Sequence, residues 1–149
     1  MLIGTAIHIL AAIILVGGTF FMIVVFSRGV GPLDLATRLA LWERTLSGFL
    51  MWVWISIAAL FASGIAMAIS GFGGFSALGS YIRLMAALAV LVALIFAYLQ
   101  FFPLKRFRRA IAKAELTVAS KALGRVRLVL AVNLVLGIIT VVIGTSRGS

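Results

Sequence analysis

The sequence predicts an all-α, polytopic membrane protein: a four-transmembrane-helix bundle forming one membrane domain over residues 1–149. Three observations carry that expectation. Of the 149 residues, 64% are hydrophobic and 11% charged, whereas soluble domains are about half apolar and about a quarter charged. Four apolar runs are each long enough to cross a hydrocarbon layer of about 30 Å, which takes roughly 20 helical residues. The charges gather mainly between these runs.

The first run, Ile3–Phe26, reads as a helix because a segment in lipid must satisfy its own backbone hydrogen bonds. It has no basic start and no small-residue cleavage site, so it is expected to be a retained span rather than a leader. Residues 27–47 carry Arg28, Arg38 and Arg44 with Asp34 and Glu43. Pro32 and Asp34 mark the start of a short helix that leads through Trp42–Glu43–Arg44 into the second span, Gly48–Ser70. Residues 71–80 are rich in Gly and Ser and uncharged, and the third span is Tyr81–Phe102.

Residues 103–125 hold Lys105, Arg106, Arg108, Arg109, Lys113, Lys121 and Arg125, opposed by Glu115 alone. Pro103 opens this segment, and Phe107, Ile111, Ala114 and Val118 follow at helical spacing. The pattern predicts a basic amphipathic helix lying on anionic lipid. The fourth span is Val126–Thr145. Short basic loops stay in the cytoplasm. The first and third loops are therefore expected inside, and both termini on the outer, periplasmic side of the cell (inner) membrane. Trp52 and Trp54 near one face and Tyr81 near the other suit interfacial belts.

Composition also excludes chemistry. No cysteine is present, so disulfides, thiolate metal sites, iron–sulfur clusters and cysteine nucleophiles are ruled out. The net charge of +10 would suggest nucleic-acid binding in a soluble chain. Here it reads as membrane-surface charge, with no nucleic-acid partner. Three acidic residues, all in loops, assemble neither a carboxylate pair nor a Ser/His/Asp set, which argues against a hydrolase. Whether the chain is an enzyme at all stays open.

Ionisable groups inside spans are costly and are functional candidates by default. His8 and Arg83 stand out, each within two turns of the start of an outside-to-inside helix and so at similar depth. His8 shares its face with Ala12, Leu15 and Thr19, with Ala11 at the edge; Arg83 shares its face with Ala86, Ala87 and Val90. Met67 falls at the depth of His8 on the second span, whose stripe Ser56, Leu60, Ser63, Gly64 is expected to look into the bundle. Met85 lies two residues from Arg83, about 200° around the helix, so both cannot face inward. Asn133, Gly137, Thr140 and Gly144 form a stripe on the fourth span suited to helix packing. Structural alternatives stand beside each of these: His8 hydrogen-bonded to a neighbour, Arg83 snorkelling outward, and Met67 filling a gap.

The run from His8 through Leu15 to Gly17–Gly18 resembles the first-helix signature of the CopD superfamily, with Leu15 where a Trp is usual. Trp42-Glu43-Arg44-Thr45-Leu46, followed by a span ending Ser63-Gly64, is similar to the start of the second helix in the related HemJ group of protoporphyrinogen oxidases. Arg83 in Tyr81-Ile82-Arg83-Leu84 stands where that group has a Lys, and Asn133 through Gly137 resembles the fourth helix of CopD-like members. The resemblance implies a four-helix membrane protein holding haem b with His8 as axial ligand, or one that handles copper.

Three functions follow as expectations. The first is a haem b protein in electron transfer or oxidation, with His8 on the iron, Met67 as candidate second ligand and Arg83 neutralising a propionate. With one His per chain, a bis-His site needs a homodimer. The second is copper binding or transport, since His and Met suit Cu(I). The third is a non-catalytic accessory subunit of a larger membrane complex.

Overall fold

The computed structural model describes residues 2–71 and 79–146, apart from the side chains of Gly71 and Tyr81. The expected outer-face position of the Tyr81 ring, and the 72–78 segment, thus lie outside the described residues. The described residues form helices α1 (Leu2–Gly29), α2 (Leu35–Gly71), α3 (Ser80–Phe101), α4 (Pro103–Ala112) and α5 (Leu116–Thr145). α1, α2, α3 continued by α4, and α5 are each long and apolar enough to cross a membrane. The all-helical, four-span expectation is met.

α1 contains a π-helical stretch, Phe21–Phe26, in which Met22 is buried. Its end is closed by Ser27, whose hydroxyl donates to the Ile23 carbonyl. After the turn, the Asp34 carboxylate accepts a hydrogen bond from the Thr37 N–H at 3.2 Å. This satisfies one of the free amides at the start of α2, and the hydrogen bonds from Thr37 hold the Asp34 carboxyl below its ordinary range.

The short helix predicted from Pro32–Asp34 and the second span are one continuous helix. The cause is an unbroken apolar stripe: Leu39, Trp42, Leu46, Leu50, Val53 and Ile57 recur every three or four residues, and all are buried. Arg38 and Arg44 lie off this stripe, and Glu43 flanks it half-buried, within 3.6 Å of Arg108.

The amphipathic helix predicted through Ala114 and Val118 is corrected to two elements. α4 buries Leu104, Phe107 and Ala110. It then ends in a reverse turn in which the Glu115 N–H meets the Ala110 carbonyl and the Ala114 N–H meets the Ile111 carbonyl. Ala114 takes φ 56° to make this turn, a left-handed conformation costly for a residue with a Cβ. Val118 therefore lies on α5, where it is exposed.

α1 packs against α2 and α5, while α3 packs against α5 and α4. Small residues set two of these approaches. A Cβ on Gly18 would come within 2.9 Å of the Phe49 ring, and one on Gly137 within 3.1 Å of Val16. The most deeply buried side chains, including Trp42, Phe96, Leu99, Phe107 and Leu130, cluster toward the α4 end of the bundle. Two cations tie that end together. Arg108 donates to the Ser47 hydroxyl at 2.8 Å and lies 3.6 Å from the Glu43 carboxylate. The Arg127 guanidinium lies 5.7 Å over the Trp42 ring. Arg127 falls within the predicted fourth span, so His8 and Arg83 are not the only ionisable groups inside the predicted spans.

Candidate functional site

The stripes predicted on α1, α2 and α5 face inward. Ala11, Leu15 and Thr19 are buried below His8, Ser56 and Ser63 are buried on α2, and Asn133 and Gly137 are buried on α5. Antiparallel packing of α1 on α2 brings His8 against Ser63 and Gly64. The His8 ring nitrogen Nδ1 lies 2.9 Å from Ser63 Oγ. The ring also lies against Gly64, where a Cβ would stand 3.6 Å from the imidazole Cε1, in ordinary van der Waals contact.

The hydrogen-bond network assigns the tautomer. Ser63 Oγ lies 2.6 Å from the Ala59 carbonyl and 3.2 Å from that of Leu60. A hydroxyl has one proton to give, and a carbonyl can only accept it. Ser63 therefore donates to its own helix, and its oxygen accepts from His8 Nδ1–H. The proton on Nδ1 leaves Nε2 with a free lone pair, so one nitrogen is held and oriented while the other can bind a metal.

Met67 sits one helical turn beyond Ser63 on the same seam. The Thr5 hydroxyl donates to its sulfur at 3.5 Å, and its Cγ lies 3.5 Å from where a Gly4 Cβ would stand. Gly4 and Thr5 are the turn of α1 preceding His8. An imidazole nitrogen and a thioether sulfur are thus one turn apart at one end of the α1–α2 seam. Both side chains are half-buried.

Arg83 is not part of this arrangement. It is exposed, together with Ala86, Ala87 and Val90, while Met85 on the other side of α3 packs against Gly144 of α5. The rotation argument holds, with the methionine inside and the arginine outside. Trp54, expected at the interface, turns toward α3 and donates through Nε1 to Gln100 Oε1. Gln100 was not singled out from the sequence, although a polar residue near the end of an apolar run was the signal. Three buried polar atoms, Ser56 Oγ, Arg108 Nε and Asn133 Oδ1, have no hydrogen-bond partner among the described residues; the Asn133 amide nitrogen donates to the Val92 carbonyl at 3.3 Å.

Among the described residues, no three His, Cys, Asp or Glu side chains come together as a metal-binding group. On the described α1–α2 seam, His8 meets Ser63, and Met67 follows one turn further along α2. A family model described as copper resistance protein D, CopD, matches residues 43–146, from within α2 through the end of α5. Met67 and Arg83 lie inside the match, and His8 lies before it. No curated protein and no solved structure gives a match.

Proposed function

Since the chain belongs to the copper resistance protein D family of membrane proteins, we propose that it binds copper as cargo, taking Cu(I) at the α1–α2 seam through His8 Nε2 and Met67 Sδ. The observation that carries this reading is the hydrogen bond of His8 Nδ1 to Ser63, which orients the imidazole and frees Nε2. Thioether and imidazole are the donor types that favour Cu(I) over hard cations. Methionine has three rotatable bonds, so its sulfur can swing from Thr5 toward an ion beside His8.

Haem b, the first expectation from the sequence, fits this seam poorly. Gly64 stands in contact distance of the imidazole and Gly4 in contact distance of Met67. A macrocycle between the helices would have to part these contacts. Arg83, assigned to a propionate in that reading, lies on the exposed side of α3.

Cu(I) titration of the purified protein against a chromophoric chelator tests the proposal, with one ion per chain expected. Ser63→Ala removes the group that orients His8, and such outer partners are worth about 10- to 100-fold in metal affinity. A variant that binds as tightly as the wild type would mean that the hydroxyl plays no part in holding the ligand.

The orientation of the bundle follows from its loops. The α1–α2 connection and the α4–α5 region are basic, while residues 71–80 are uncharged. We place the basic side in the cytoplasm, so both termini and the His8–Met67 pair face outward. A C-terminal reporter active only in the cytoplasm is expected to be silent. Strong activity would invert the topology and put the copper site on the inner side.

A further inference from the structure

The break between α4 and α5 builds a second site, far along the chain from His8. Because α4 turns back at Ala114 instead of continuing, α3, α4 and α5 border an open cavity of about 430 Å³. Its walls are unlike each other. Lys105, Arg106, Arg109 and Lys113 enter from α4 and its terminal turn, and Arg125 enters from α5. Glu115 is the one acidic side chain among the lining residues. None of the five cations forms an ion pair among the described residues, so their donors are available.

The remaining wall is aromatic. Tyr98 and Phe102 stack with ring centroids 5.4 Å apart, and the neighbouring Phe101 is 62% exposed. The cavity therefore joins a concentrated positive wall to an apolar ledge at the end of a membrane-crossing helix. A soluble anion would use the first and leave the second in water. A phospholipid uses both, with phosphate oxygens on the guanidinium groups and an acyl chain along Phe101 and Phe102. Five cations against one carboxylate exceed what a singly charged headgroup can neutralise.

We propose that this pocket binds the headgroup of an anionic membrane lipid carrying more than one negative charge, at a defined site rather than by diffuse attraction to the basic surface. Arginine suits that task because its planar fork pairs with two phosphate oxygens at once. The inference is independent of the copper reading, since it uses no residue of the α1–α2 seam.

The test is binding of cardiolipin to the full-length protein in detergent, followed by native mass spectrometry. The double variant Arg109→Gln/Arg125→Gln is expected to lose about tenfold more affinity than the charge-matched control Arg38→Gln/Lys121→Gln, because it also removes charge-assisted hydrogen bonds. Neither Arg38 nor Lys121 lines the cavity. Equal losses in the two variants would overturn the site and leave only a diffuse field. Pyrophosphate competing as tightly as cardiolipin would overturn the lipid and leave a soluble phosphate site. Photoactivatable cardiolipin reads the same site with no substitution. Labelling is expected on residues 98–118 and around Arg125, which line the cavity, and labelling confined to other segments would contradict the proposal.

Discussion

His8→Ala is expected to reduce Cu(I) binding to the background of the detergent micelle, while the protein still inserts and keeps its helical content. Imidazole Nε2 is the only nitrogen ligand that one chain can offer at the α1–α2 seam, since the sequence holds a single histidine. Removing it leaves a lone thioether, a weak donor for any ion in competition with water or chelator. The fold should tolerate the change. His8 is half-buried in the end of the seam, and Ser63 keeps its hydrogen bond to the Ala59 carbonyl without it. Met67→Leu, which nearly conserves volume, should weaken binding and leave stability nearly unchanged. Undiminished binding by His8→Ala would remove the site.

The second large effect concerns the opposite end of the bundle. Trp42→Ala is expected to destabilise the protein by about 3–5 kcal/mol, the range for truncating a buried aromatic. Trp42 is 1% exposed and meets Phe26 edge-on, with centroids 4.9 Å apart. Arg127 lies over its ring, a contact worth about 0.5–2 kcal/mol depending on solvation. The indole thus joins α1, α2 and α5 at one point. Thermal or denaturant unfolding in a fixed detergent reads the change. A loss below about 1 kcal/mol would place the stabilising core elsewhere than a fully buried Trp implies. Arg127→Gln should reproduce only the cation's part of the effect.

What the sequence made legible, and what it hid, follow from the solvent. Helix periodicity alone aligned His8 with Ala11, Leu15 and Thr19, and Ser63 with Ser56, and the structure buries both stripes. Polar atoms in lipid must find partners, so a stripe of Ser, Thr, Asn and His marks the inside of a bundle. No such mark exists on α3. Lipid tails are as apolar as a protein core, so Ala86, Ala87 and Val90 could face either way. The face was assigned by Arg83, and it is the exposed one. Met85, discounted by the same rotation, holds the packing position against Gly144.

The other differences have equally local causes. The second span was begun at Gly48 because hydropathy falls before it, yet the Leu39–Trp42–Leu46 stripe carries the helix back to Leu35. The turn after α4 was invisible because it rests on Ala114 with φ 56°, where a glycine would have announced it. The pairing of His8 with Ser63 was not predictable in register, because it depends on where antiparallel α1 and α2 slide to bring Gly64 beneath the imidazole.

The central claim is that one imidazole and one thioether of this seam together hold Cu(I). X-ray absorption at the copper edge of the Cu(I)-loaded, full-length protein tests it most directly. The account predicts a first shell containing both a nitrogen and a sulfur scatterer, with the sulfur lost in Met67→Leu and the nitrogen lost in His8→Ala. A first shell of nitrogen and oxygen alone in the wild type, unchanged by Met67→Leu, would contradict it.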